Sequence, residues 1–183
     1  INTYSLLAVN PNAPFTDADG NAVSDVKINA DGAETFIDWM LSEASKLIKE
    51  YGVEEYGDNL FYLKDDAPKY DDKIANASDE NRVIRLSTTT SVKDSGLLDY
   101  ILPVFEQEYG YKVEVQSAGT GKAIAAAKYG NADVILVHSK AQEEAFVDEG
   151  FSYVLSGFDS ERLSFMYNYF VLCGPSNDPA GVK

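Results

Sequence analysis

The sequence predicts an α/β fold, a parallel sheet with helices on both faces. Three observations carry it. The apolar run Val83, Ile84, Leu86 is followed at helical spacing by Leu97, Leu98, Ile101, Leu102 and Phe105. The same order of strand and helix recurs in "YKVEV" and "AIAAAKYG", and again in "ADVILVH" and "KAQEEAFVDEG". Strands alternating with helices at this spacing imply right-handed βαβ units, whose ligand loops gather at the carboxyl edge of the sheet.

In chain order, "TYSLLAVNP" is a strand stopped by Pro11, and "APFTDADGNAVSD" is rich in turn residues. From Asp31 a helical pattern runs through Phe36, Ile37, Met40, Leu41, Leu47 and Ile48 to Gly52, a suitable residue just past a helix end. "NLFYL" is a short strand or an extended tail. Lys64 to Glu80 is charged, polar and nearly aperiodic, which predicts an exposed linker. Strand Val83–Leu86 then leads through the hydroxyl row Ser87 to Ser91, placed in a β-to-α turn, to a helix ending near Gly110. "YKVEV" leads through "QSAGTGK" to the alanine-rich helix. "ADVILVH" is a near-continuous apolar run, as expected of a strand buried on both faces. With 183 residues and 45% apolar content, residues 1–183 form one compact domain.

Thirty acidic residues against 15 basic ones give a formal net charge of −15, which repels nucleic acid and anionic membranes. A single cysteine, Cys173, excludes an internal disulfide, and a single histidine, His138, leaves no Cys/His metal set. Cys173 is expected as a buried strand residue. No apolar run approaches a membrane span, and the first residues lack the basic region of a signal peptide.

Two loops carry the functional signal. The first amides of a helix lack intrahelical acceptors and sit at the positive end of its dipole, so a hydroxyl row there adds donors to an anion site. In "AGTG", Gly119 and Gly121 permit close backbone approach and Thr120 supplies a further hydroxyl. On adjacent strands the two turns converge, and the pair points to a small oxyanion; the bland alternative is that Thr and Ser only cap helices. Neither turn holds a carboxylate in its core. Donors alone suit sulfate, molybdate or tungstate, whereas hydrogen phosphate also needs an acceptor. His138 ends the third strand at the same edge, as an anion donor or as a rim histidine. Arg82, Arg85 and Arg162 are anion partners by charge alone, and the first two stand at a strand's start, away from that edge. No paired acid, base or nucleophile is visible, which favours binding over catalysis; a small phosphate-handling enzyme and a folding module with a relic site are the alternatives.

The stretch from "STTTSVKDSGLLDYILPVF" to "ADVILVHSKAQEEAFVDEG", with "TTTS", "GTG" and "ADVILVH" in order, resembles the first lobe of the tungstate-binding proteins of ABC transporters, type II periplasmic binding proteins. "MYNYFVLCGPSNDPAG" resembles the strand by which that family leaves its first lobe. "TYSLLAVNP", "ETFIDWMLSEASKLIKEYG" and "YGDNLFYL" resemble the family's last segment, so the order here is circularly permuted. The resemblance divides the chain into 1–63 (family end), 64–80 (joint) and 81–183 (family start), with no counterpart of the second lobe. It implies a single lobe whose sheet is parallel except at the hinge strand, from an engineered chain or a fragment across a tandem junction. It also implies that Thr88, Thr89, Thr90, Ser91, Gly119, Thr120 and Gly121 contact tungstate or molybdate, with His138 beside them and no cofactor. The parent would be extracytoplasmic and deliver its ligand to an ABC permease. The uncovered inter-lobe face, with hinge strands Tyr4–Val9 and Tyr167–Cys173, would support a homodimer.

Overall fold

The structure is a computed structural model, and it describes residues 1–182. Its strands are β1 (Asn2–Ala8), β2 (Tyr62–Leu63), β3 (Val83–Thr89), β4 (Lys112–Ala118), β5 (Val134–Val137) and β6 (Leu163–Asn168). They form one sheet in the order β2-β6-β1-β5-β3-β4. β3 runs parallel to β4 and β5, and β1 lies antiparallel between β5 and β6. The sheet is therefore mixed at β1, as the resemblance implies, and also at the short edge strand β2, which is antiparallel to β6. The helices are α1 (Ala30–Met40), α2 (Ala44–Glu50), α3 (Val53–Tyr56), α4 (Thr90–Asp94), α5 (Leu97–Tyr109), α6 (Thr120–Lys128) and α7 (Lys140–Asp148).

Alternation along the strands sorts the core into two layers. Tyr4, Leu6 and Ala8 of β1 and Val134 and Leu136 of β5 join α1, α2 and α5 on one face. Leu7 and Val9, with Ile135 and Val137, meet Ala123, Ile124 and Ala127 of α6 and Phe146 of α7 on the other. All four residues of β5 are buried, which is why its sequence shows no polar alternation. Phe105 anchors the larger layer, with ring centroids 4.8 Å from Trp39 and 4.9 Å from Tyr111. Burying each such ring stabilises the fold by about 2–3 kcal/mol.

The edge opposite the predicted ligand loops is held by Asp133. Its carboxylate accepts the Asn29 and Arg85 amides and pairs with the Arg85 guanidinium at 2.7 Å, while Arg85 also donates to the Gly130 and Lys27 carbonyls. Arg85 therefore fastens the N-terminal segment to the sheet. Arg82 pairs with Asp79.

Four features depart from the sequence reading. The single helix expected from Asp31 to Gly52 is broken between Met40 and Ala44. There the Ser42 hydroxyl donates to the Asp38 carbonyl at 2.7 Å, and the Ser42 and Ser45 amides bond three residues back, tightening the turn. Gly52 ends α2 as expected, with φ 93°. The strand expected to stop at Leu86 continues to Thr89, so three of the five hydroxyls are strand residues. Ser87 donates to the Ala123 carbonyl and Thr88 to the Leu136 carbonyl, and both are buried. β-branched threonine suits an extended backbone once its hydroxyl has such a partner.

Lys64 to Glu80 holds no helix and no strand and is mostly exposed, as the sequence reading has it, but it is anchored to the core as a strap. Its Tyr70 and Ala77 amides donate to the Leu41 and Tyr109 carbonyls, and Ile74 is buried in the larger core layer. Cys173 is exposed and lies outside any strand, contrary to the expectation of a buried strand residue. β6 ends at Asn168, short of Cys173, and Asn168 pairs with Asn2 of β1. Phe170, Val171 and Leu172 are exposed.

Candidate functional site

Parallel pairing brings the ends of β3 and β4 level, with Thr89 beside Ala118, and sets Thr88 beside Leu136 of β5. Each of these strands is followed at once by a helix, α4, α6 and α7. Three helix starts therefore stand along one edge of the sheet, and they differ in what already occupies them.

At α4, Thr89 is the cap. Its backbone is extended, and its side-chain oxygen accepts the Val92 amide at 3.4 Å. The Thr89 and Ser91 hydroxyls are 3.1 Å apart, and Ser91 Oγ is 3.4 Å from His138 Nε2. Thr90 and Ser91 are exposed, and His138 is half-buried. Thr89, Ser91 and His138 thus form one connected polar group at the mouth of the turn. Thr88 does not join it, because its hydroxyl is turned into the sheet toward Leu136.

At α6, Gly119 is the cap and has no side chain to serve the first-turn amides. Its φ of −60° is ordinary for any residue, and a Cβ built there meets nothing within 4 Å. Neither backbone strain nor crowding from this chain requires glycine at that position. Its effect is to leave the turn open to whatever approaches from outside. At Gly121 a Cβ would lie 3.4 Å from Gln142 Oε1. Thr120 is half-buried and Gly121 exposed.

At α7 the start is already filled. Glu143, fully buried, accepts the Ser139 amide at 2.8 Å with one oxygen and binds Arg162 Nε and Nη2 at 3.0 and 2.6 Å with the other. An internal carboxylate takes the place an external anion would use, and it also engages Arg162. Two open turns remain, Thr89–Ser91 and Gly119–Gly121, flanked by His138.

Sequence reasoning passed over two residues here. Lys122, in the first turn of α6, is exposed and makes no ion pair among the described residues. Its place in "QSAGTGK", beside the second glycine of the turn, is the sequence signal for a cation at this site. Tyr4 was read only as a strand residue; its ring lies edge-on to His138, centroids 5.1 Å apart. No group of three or more His, Cys, Asp or Glu among the described residues is placed to hold a metal ion.

Known proteins resemble the chain over part of its length. The chain is 51% identical over 100 residues to the tungstate-binding protein TupA of Peptoclostridium acidaminophilum, covering 55% of this chain and 32% of that protein. It is 38% identical over 82 residues to the tungstate-binding protein TupA of Campylobacter jejuni, covering 45% and 28%. The chain thus spans about a third of the length of the curated relatives it matches. Among solved structures, the tungstate ABC transporter from Geobacter sulfurreducens shares 42% identity over 55% of this chain and 40% of that one, with a TM-score of 0.46. The PBP superfamily domain matches residues 75–183, the stretch that contains both open turns and most of the sheet, and the chain belongs to that superfamily.

Proposed function

We propose that this chain binds a tetrahedral oxyanion, tungstate or molybdate, at the turns Thr89–Ser91 and Gly119–Gly121, as one lobe of an ABC-transporter solute-binding protein. The observation that carries the reading is the contrast along the carboxyl edge. Two neighbouring helix starts are open and lined by hydroxyls and amides, while the third is closed by Glu143. Thr90, Ser91, Thr120 and the Gly119 and Gly121 backbone are the contacts, Thr89 orients Ser91, and Thr88 supports the turn from within the sheet. The chemistry is capture by donors, with no bond made or broken. The names of the relatives support tungstate as the ligand; delivery to an ABC permease and an extracytoplasmic parent belong to the same proposal.

Titration with tungstate, molybdate, sulfate and phosphate tests it. One lobe supplies about half the donors, so the expected affinity is in the millimolar range, roughly a thousandfold below that of a closed two-lobed site. Ser91→Ala with Thr120→Ala should abolish binding; unchanged affinity in that double variant would reject these turns.

The permuted order belongs to the same proposal. β1 completes the sheet of the matched region from the other end of the chain, lying between β5 and β6. A chain in which residues 64–183 precede residues 1–63 should fold and bind alike. The exposed run Tyr169 to Leu172 supports a homodimer that tightens as salt screens the net charge of −15, which sedimentation at low and high salt will measure.

A further inference from the structure

Four carboxylates line one cavity of 550 Å³ that α1 and the strap share. Glu34 and Asp38 stand one turn apart on α1, where like charges repel. Asp71 and Asp72 line the same cavity from the strap, and Ser156 and Gly157 complete the lining without charge. Among the described residues none of the four carboxylates makes an ion pair, and neither does Lys69, the one cation on these walls.

Asp38 sets this cluster apart from an ordinary acidic surface. It is 8% exposed, and its Oδ1 is buried with no hydrogen-bond partner. Water solvates a surface carboxylate freely, whereas a buried one without a donor is costly whenever it ionises. Burial, then the charge of Glu34, pushes its carboxyl up to about 7. The Tyr70 hydroxyl is raised by burial and then by Asp38, Asp72 and Glu34, so charges from both walls act at one point.

The occupant that fits is a cation larger than a bare ion. No group of three or more acidic residues among the described ones is placed to hold a metal, so the negative charge is divided between two walls. An ammonium group has three donors and can serve the two carboxylates of one wall, while a second ammonium on the same flexible chain serves the other. The Tyr70 ring, which lines the same cavity, offers apolar surface to the methylenes between them.

We propose that this cavity binds an aliphatic diamine or polyamine, with one ammonium group seated on Glu34 and Asp38 and the next on Asp71 and Asp72. The site shares no residue with the oxyanion turns and stands independently of them.

Calorimetry of the intact chain with putrescine, butylamine and calcium chloride tests it. A net charge of −15 attracts any polycation, so Asp38 is what distinguishes the site from the general field. Below about pH 7 a cation seated on Asp38 must displace its proton. Putrescine, whose amines stay charged as lysine does, should therefore bind about tenfold more tightly at pH 8 than at pH 6, with release of about one proton at pH 6. Because the two walls act together, it should bind at least about tenfold more tightly than butylamine. Asp38→Asn should weaken putrescine about tenfold at pH 8 and abolish the pH step, and Asp71→Asn with Asp72→Asn should reduce putrescine to the affinity of butylamine. Ser91→Ala with Thr120→Ala should leave these results unchanged; a loss of putrescine there would place the cation at the oxyanion edge and overturn the proposal. No binding of putrescine at pH 8, an affinity without the pH step, butylamine bound as tightly, or calcium preferred to putrescine would each overturn it as well. So would an Asp38→Asn protein that binds as wild type does.

Discussion

Glu143 and Arg162 form a charge pair inside the protein, at 2.6 and 3.0 Å, with the Ser139 amide on the carboxylate's other oxygen. Breaking such a pair from one side strands the partner in a poor solvent. Arg162→Leu should therefore destabilise the fold by about 3 kcal/mol in urea denaturation. Anion affinity should be unchanged, because Arg162 is committed to α7; a loss of affinity without a loss of stability would place Arg162 at the ligand instead.

The hydroxyl row divides into structural and exposed members, and single substitutions can separate them. Ser87→Ala leaves the Ala123 carbonyl short of its side-chain donor and should cost about 1 kcal/mol of stability with binding intact. Ser91→Ala is expected to do the reverse, with near-wild-type melting and lost binding. Equal effects from both on both measurements would erase the distinction.

That division also shows what the sequence could and could not reveal. The β3-to-α7 alternation was legible because burial imposes periods of 2 and 3.6 on apolar residues. The extension of β3 to Thr89 was not, since its hydroxyls find their acceptors, the Ala123 and Leu136 carbonyls, on other elements. The two loops of the candidate site were legible from glycine and hydroxyl chemistry, whereas the closure of α7 depends on Arg162, which is distant in sequence. The exposure of the strap was legible in its charge, whereas its anchoring was not, because its one buried residue, Ile74, comes without any period to announce it.

Ile74 is accordingly the next test. It is 4% exposed within the larger core layer, and Ile74→Ala should cost about 2–4 kcal/mol. Protease cutting between Asp71 and Ala77 should become faster in the variant. Unaltered melting would mean that the strap is dispensable.

Asp38 predicts a pH dependence. It is 8% exposed, its Oδ1 has no hydrogen-bond partner, and burial followed by the charge of Glu34 pushes its carboxyl up to about 7. Lys69, Tyr70, Asp71 and Asp72 of the strap, with Ser156 and Gly157, line the same 550 Å³ cavity. The folded state thus holds a proton that the unfolded chain releases near pH 4, so this group makes stability fall as pH rises from about 4 to about 7, with no further loss above. Asp38→Asn should flatten that slope and exceed wild-type stability at pH 8, by a margin that narrows at pH 5. Parallel curves for the two proteins in urea would refute the assignment.

The position of β1 has a consequence for how the sheet closes. β1 finds its partners in β5 and β6, far along the chain, with Ser5 opposite Val137 and Asn2 opposite Asn168. Until those strands are in place Leu6 and Leu7 have no sheet to enter, and closing so long a loop is slow. A refolding chain therefore holds an unsatisfied apolar strand until late, and in that interval pairing with a second copy competes with the native sheet.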